Sequence, residues 1–96
     1  MSLPLRVRGE LKNYIDFLIQ DRKKKKMLYA WTLRHMYLEP NLETILSHSV
    51  GLILGIITAN FKIWYKREPT PEEMLKILSI IQRRMPDMRE AFVDPR

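Results

Sequence analysis

Five consecutive cations, Arg22 to Lys26, are the residues of this sequence best suited to bind a ligand. Lys and Arg contact the phosphates of nucleic acid and displace its counterions, which adds affinity without reading base sequence. A tyrosine that follows within a few helical turns, Tyr29 or Tyr37, can stack on an unpaired base. The predicted nucleic-acid-binding residues are Arg22, Lys23, Lys24, Lys25, Lys26, Tyr29 and Arg34, with DNA or RNA as the ligand. A solvated charged bend between two helices is the alternative interpretation.

This cationic run opposes local folding. In a helix Lys23 lies beside Lys26, and like charges at such spacings destabilise a helix by roughly 0.2–0.5 kcal/mol per pair. If a helix begins near Asp21, the lysines crowd its N-terminal turn, where the helix dipole disfavours cations. Because the run weakens the local structure in either case, a binding role for it is a reasonable expectation.

Charge is distributed unevenly along the chain. Residues 1 to 38 contain nine Lys or Arg and three acidic residues, whereas residues 39 to 96 contain eight of each sign. The whole net charge of +6 therefore belongs to the N-terminal part of the sequence. Such a basic region favours attraction to nucleic acid or to an anionic surface, and it bears on association rather than on fold.

Catalytic and metal-binding patterns are sparse. The sequence contains no cysteine, which excludes disulfides, thiolate metal sites and cysteine nucleophiles. His35 and His48 are the only histidines. Helical spacing places His35 near Glu39, and Glu43 follows the next turn, but no helix has the two-histidine spacing of a zinc motif. No glycine-flanked nucleophile and no glycine-rich phosphate loop occurs. We expect no catalytic residue, no metal site and no cofactor.

The sequence around the candidate residues predicts helices. Apolar residues recur at intervals of three and four, and no stretch alternates with period two, so we predict an all-α fold. A first amphipathic segment is marked by Leu11, Tyr14, Ile15, Leu18 and Ile19. A second has a stripe of Met27, Leu28, Trp31 and Leu38, widened by Tyr29, Leu33, Met36 and Tyr37. Trp31 shares a face with Leu28 and Leu38, so we assign it to the core.

The last helix has the best local start signal in the chain, the sequence TPEE. Thr70 can cap the helix, Pro71 suits its first position, and Glu73 completes a capping box. Pro86 is expected to end this helix. Residues 86 to 96 then form a flexible or loosely packed tail. The alternative is a tail that docks on a partner through Met85, Met88 and Phe92.

The longest apolar segment runs from about Leu42 to Lys66, after a turn at residues 39 to 41 in which Asn41 can cap the helix. Its apolar block proper, residues 50 to 59, is about half of the roughly 20 residues that span a membrane. We therefore expect a buried central helix and no membrane span. Small side chains recur every four residues in it, at Ser47, Gly51, Gly55 and Ala59. This stripe predicts close packing of helices, either within the chain or across a dimer.

These patterns predict one helical domain over residues 1 to 96, a small bundle of three to four helices with a long apolar central helix. So few helices would leave apolar surface uncovered, which favours a homodimer. The first ten residues have no features of a secretory signal, and the lack of cysteine suits a reducing compartment, so we expect a cytoplasmic protein. Two functions remain open: a non-catalytic, nucleic-acid-associated protein, and a self-associating protein–protein interaction module with no nucleic-acid role.

Overall fold

Four helices and no strand make up residues 3–93, the part of the chain that the structure, a computed structural model, describes. In chain order they are α1 (Leu5–Gln20), α2 (Arg22–His35), α3 (Leu42–Tyr65) and α4 (Pro71–Val93). Every pair of helices is in contact, and the most extensive contact lies between α1 and α4. The predicted all-α architecture of three to four helices, one of them long and apolar, is confirmed.

The core is built from residues three and four positions apart, as the period of the sequence indicates. On α1 the repeat continues further towards the N-terminus than Leu11, because Val7 is also buried. α3 and α4 each add a buried i, i+4 pair, Ile53 with Ile57 and Ile77 with Ile81. The other fully buried large apolar side chains include Ile15, Ile45, Leu46, Phe61, Met88 and Phe92.

Polar contacts between helices fix their arrangement around this core. Asp16 on α1 accepts a hydrogen bond from Arg84 on α4 at 2.8 Å. Hydrogen bonds from Lys12 and then Arg84 hold the pKa of Asp16 below its ordinary value. Asn60 on α3 donates to the hydroxyl of Tyr14 on α1 at 2.6 Å. These contacts join α1 to both of the long helices.

The capping box at the start of α4 forms as the sequence predicts. The Thr70 backbone N–H donates to Glu73 Oε1 at 2.9 Å, and the Glu73 N–H donates to Thr70 Oγ1 at 3.1 Å. Asn41 caps α3 in a related way, because its side-chain oxygen accepts from the Thr44 N–H at 3.0 Å. Both helix starts therefore follow from local sequence alone.

The predicted end of α4 and the predicted tail are wrong for the residues that the structure describes. α4 continues through Pro86 to Val93, and Met88 and Phe92 beyond the proline are buried. Pro86 and Gln82 both lie on the exposed side of α4. Because Pro86 has no backbone N–H, the carbonyl of Gln82 lacks a helical donor and is free to bind water. Burial of the following turns outweighs the loss of one helical hydrogen bond. Residues 94 to 96 of the predicted tail lie outside the described residues.

The apolar face predicted for α2 is also wrong. Only two of its residues, Tyr29 and Leu33, are buried. Apolar side chains surround most of this helix, so period alone could not show which of them faces the core. The bundle selects the Tyr29–Leu33 pair, and it leaves exposed the predicted stripe of Met27, Leu28, Trp31 and Leu38.

Candidate functional site

The five cations lie at a tight corner between α1 and α2. A single residue, Asp21, separates the two helices, and α2 begins at Arg22. The lysines therefore occupy the first turns of α2, where the helix dipole disfavours positive charge. Asp21 is the nearest acid in the chain, but its side chain makes no capping hydrogen bond. The corner is electrostatically unfavourable as an isolated structure.

The side chains of these five cations lie on different faces of α2. Three of them, Arg22, Lys23 and Lys26, line a groove between α2 and α4 together with Arg34, which lies about two turns beyond Lys26. The groove has a volume of about 440 Å³, and its remaining lining is Met27, Ala30 and Ala91. Four cations thus surround an apolar floor, and no acidic side chain lines this groove.

Two residues of the run lie away from the groove. Lys25 is on the opposite side of α2, with its Nζ 5.3 Å from the centre of the Phe17 ring. Lys24 is exposed and lines none of the depressions around α2. The structure therefore brings together four of the seven predicted nucleic-acid-binding residues and separates Lys24 and Lys25 from them.

Acidic residues lie beside the Arg22 end of the groove. A neighbouring depression of about 370 Å³ shares Arg22 and Ala91 with it and is also lined by Asp87 and Glu90. Arg84 pairs with Asp87 at 3.1 Å, which offsets part of that negative charge. The depression is therefore lined by two arginines and two acids, whereas the charged residues of the groove are all cations.

No ion pair neutralises the lysines of the groove. Within residues 3–93, Lys23 and Lys26 make neither a salt bridge nor a side-chain hydrogen bond. Arg22 approaches only a carbonyl, with its Nη1 3.5 Å from the oxygen of Ile19. Cations without partners on a concave surface are available to an external anion.

The sequence-based assignment of the aromatic residues of α2 is reversed in the structure. Tyr29, predicted to stack on a base, is only 5% exposed and packs edge-on against His48 and Phe92. Burial, followed by the nearby charge of Asp21, raises its pKa. Trp31, assigned to the core, is 57% exposed. Tyr29 is therefore removed from the site, and Trp31 is a candidate that the sequence argument missed because its neighbours are apolar.

The C-terminal end of α2 also presents an aromatic side chain. The N–H of Leu38 donates to the Leu33 carbonyl and that of Tyr37 to the Arg34 carbonyl, the two hydrogen bonds of a Schellman motif. Tyr37 occupies the left-handed position of this motif at a φ of 59°, where glycine is usual, and its side chain is 98% exposed. The tyrosine is accessible, but it lies beyond the groove.

The small-residue stripe of α3 faces outward. Ser47, Gly51, Gly55 and Ala59 are all exposed. A methyl group placed on either glycine would meet no atom within 4 Å, and neither glycine has a positive φ. Packing of these glycines within the chain, one of the two predicted alternatives, is therefore wrong. Neither backbone conformation nor contacts within the chain require glycine at these positions.

A row of large apolar side chains runs beside the stripe. It consists of Leu52, Ile56 and Ile63, all exposed. Leu52 and Ile56 also line an apolar groove of about 550 Å³, to which α1 and α2 contribute Phe17 and Leu28. The outer face of α3 is thus uncovered, although we expected this helix to be buried.

α3 is the one helix within residues 3–93 that is long and apolar enough to cross a membrane. Only 28% of its most apolar window is buried in the bundle. Length and composition alone do not distinguish a membrane span from a helix that packs against another protein surface, so the absence of a membrane span stays a prediction.

The described residues contain no group of three or more His, Asp or Glu side chains that could hold a metal ion. The side chains of His35 and Glu43, which the sequence placed at one corner, make other contacts. Its Nδ1 lies 3.0 Å from the Trp31 carbonyl, and Glu43 pairs with Arg89. Comparison of the chain with protein-family models, with curated proteins and with solved structures finds no match.

Proposed function

We propose that this protein is a non-catalytic helical module that binds nucleic acid in the groove between α2 and α4. The observation that carries the proposal is the convergence of Arg22, Lys23, Lys26 and Arg34 on one concave surface. Neither groove lysine, Lys23 or Lys26, has an acidic partner within the described residues, although their charge weakens the local helix. A polyphosphate supplies the missing negative charge.

The chemistry of the groove favours phosphate contacts that do not depend on base sequence. Lysine and arginine side chains bind phosphate oxygens and release condensed counterions, so the affinity falls as salt increases. The Asn, Gln, Asp and Glu side chains that read adenine and cytosine edges are absent from the lining of this groove, where the charged contacts come from Arg and Lys alone. The expected ligand is therefore mixed-sequence nucleic acid.

A charge-matched pair of variants tests this proposal. Replacing Lys23 and Lys26 with Gln removes two cations from the groove, whereas replacing Lys24 and Lys25 removes two from the same run outside it. We expect the groove variant to bind about tenfold more weakly, and its log–log salt slope to be shallower by about 1.4 on single strands or 1.8 on duplex DNA. The control should retain most of the affinity and slope. Equal effects of the two variants would contradict a defined site.

We also propose, as a second function, self-association through the outer face of α3. The observation that favours it is the exposed row of Leu52, Ile56 and Ile63 beside two glycines with open space around them. No charged side chain occurs in α3 between Glu43 and Lys62. In a chain of net charge +6, an uncharged face is where a second copy can approach without like-charge repulsion. Large side chains of one copy would pack over the glycines of the other.

Sedimentation of two glycine variants tests self-association. Gly55→Leu adds a bulky side chain at the proposed contact, and Gly9→Leu adds the same group to an exposed glycine of α1. Because neither site has an atom within 4 Å of the new Cβ, both variants should fold. We expect a dimer for the wild-type protein and for Gly9→Leu at micromolar concentration, and a monomer for Gly55→Leu. A monomeric wild-type protein would refute this second proposal.

A further inference from the structure

Trp31 lies at the edge of the cationic groove. On α2 it is four residues from Met27 and three from Arg34, and both of these residues line the groove. Side chains three and four positions apart are neighbours on a helix surface. A large, exposed aromatic ring therefore borders the same concave surface that holds the unpaired cations.

The His35 side chain restrains this ring without covering it. The rings of Trp31 and His35 are 4.2 Å apart at an angle of 52°, and the His35 Nδ1 lies 3.0 Å from the Trp31 carbonyl. With more than half of its surface exposed, Trp31 remains accessible to a ligand. A restrained aromatic side chain loses little conformational entropy on binding.

We propose that the groove ligand is single-stranded nucleic acid, with its backbone along the cations and one base stacked on Trp31. This inference rests on the proposed function and specifies its ligand. Twelve residues separate Arg22 from Arg34, a helical rise of about 18 Å, which is long enough to follow several nucleotides. Bases of a single strand present a free face to an aromatic ring, whereas those of a duplex are stacked on each other.

An anionic membrane is the other polyanionic surface that such a helix could meet. Met27, Leu28 and Trp31 are exposed beside lysines, a composition also found in helices that lie on membranes. The four groove cations, however, face a concavity between α2 and α4. A flexible strand can enter this concavity and a lipid bilayer cannot, so the geometry favours the strand.

Fluorescence of Trp31 measures the proposed contact directly. Trp64→Phe leaves Trp31 as the only tryptophan in the sequence, and circular dichroism checks that this variant folds. The probes are a mixed-sequence 12-nucleotide single strand, the duplex of the same sequence, and vesicles of phosphatidylserine and phosphatidylcholine. We expect quenching of Trp31 by the single strand and little change with the duplex or the vesicles.

Binding by a Trp31→Ala variant provides the second measurement. Loss of one stacked base should weaken single-strand binding by about 5- to 150-fold and leave duplex binding nearly unchanged, while Trp31→Phe should restore part of the affinity. If Trp31→Ala binds the single strand normally while the Lys23 and Lys26 variant does not, the stacking inference is wrong and the proposed function stands. If no nucleic acid binds, both are wrong. A blue shift on vesicles without quenching by the strand would assign this surface to lipid instead.

Discussion

Two corners of the bundle, α1–α2 at Asp21 and α3–α4 at residues 66–70, use positive charge in opposite ways. Between α3 and α4, Arg67 makes a salt bridge of 2.7 Å with Glu73, whose side chain is buried. The same arginine donates to the Glu68 carbonyl and lies 5.0 Å from the centre of the Phe61 ring. Between α1 and α2, Lys23 and Lys26 have no partner within residues 3–93.

The difference separates charge that holds the fold from charge that is available to a ligand. Glu73 accepts hydrogen bonds from both Arg67 and Thr70, and these lower its pKa to about 2. Its negative charge therefore contributes to stability. The unpaired lysines of α2 instead lower the stability of their helix, so removal of charge should have opposite effects at the two corners.

The largest expected effect is at the α3–α4 corner. Glu73→Ala removes the arginine partner and one half of the capping box, and it should lower the free energy of unfolding by about 2–3 kcal/mol. Urea unfolding measures this change. Nucleic-acid affinity should be unaffected by the substitution, because this corner does not line the groove. A loss below about 0.5 kcal/mol, typical of surface substitutions, would show that the contact is not structural.

Lowering the pH should remove the stability that Glu73 contributes at the α3–α4 corner. Since the pKa of Glu73 is lowered from 4.5 to about 2 in the folded protein, its contribution is fully present above pH 4.5 and is lost as the pH falls towards 2. Between pH 7 and pH 3 the contribution of Glu73 to the free energy of unfolding should fall by about 2 kcal/mol. Chemical unfolding at both pH values, for the wild-type protein and for Glu73→Ala, isolates the contribution. An equally steep loss in the variant would contradict the assignment.

The smallest expected effect is a gain in stability at the α1–α2 corner. Replacing Lys23 and Lys26 with Gln removes an i, i+3 repulsion and two cations near the helix N-terminus, so stability should rise by about 0.5–1 kcal/mol. The same variant should bind nucleic acid more weakly. Thermal unfolding at low salt measures the gain. A loss of stability would show that these lysines have structural contacts and would weaken the contrast between the corners.

Much of the fold could be predicted from local sequence. The period of the apolar residues indicated helices throughout, and the Thr70 and Asn41 caps marked two helix starts at the correct residues. These features depend on neighbours within four positions, so the chain itself contains the information. The helix end predicted at Pro86 was wrong for the same reason. The rule that proline ends a helix considers only neighbouring residues, and it does not include the burial of Met88 and Phe92 beyond the proline.

The candidate site was predicted only in part. The identity of the cationic run was evident, but its division into groove residues and the two outlying lysines required the position of α4. The contrast between Tyr29 and Trp31 is the clearest case. They are two positions apart on a helix with apolar residues on most sides, so sequence could not show which one the bundle would bury.

By itself the sequence determined the all-α class, two of the helix starts and the concentration of positive charge in the N-terminal part, because each arises from composition or from contacts along one helix. Only the tertiary structure decided which face of each helix is covered. That choice depends on side chains distant in sequence, such as Phe92 against Tyr29 and Ala91 beside Lys26. It left the outer face of α3 open and brought four cations to one groove.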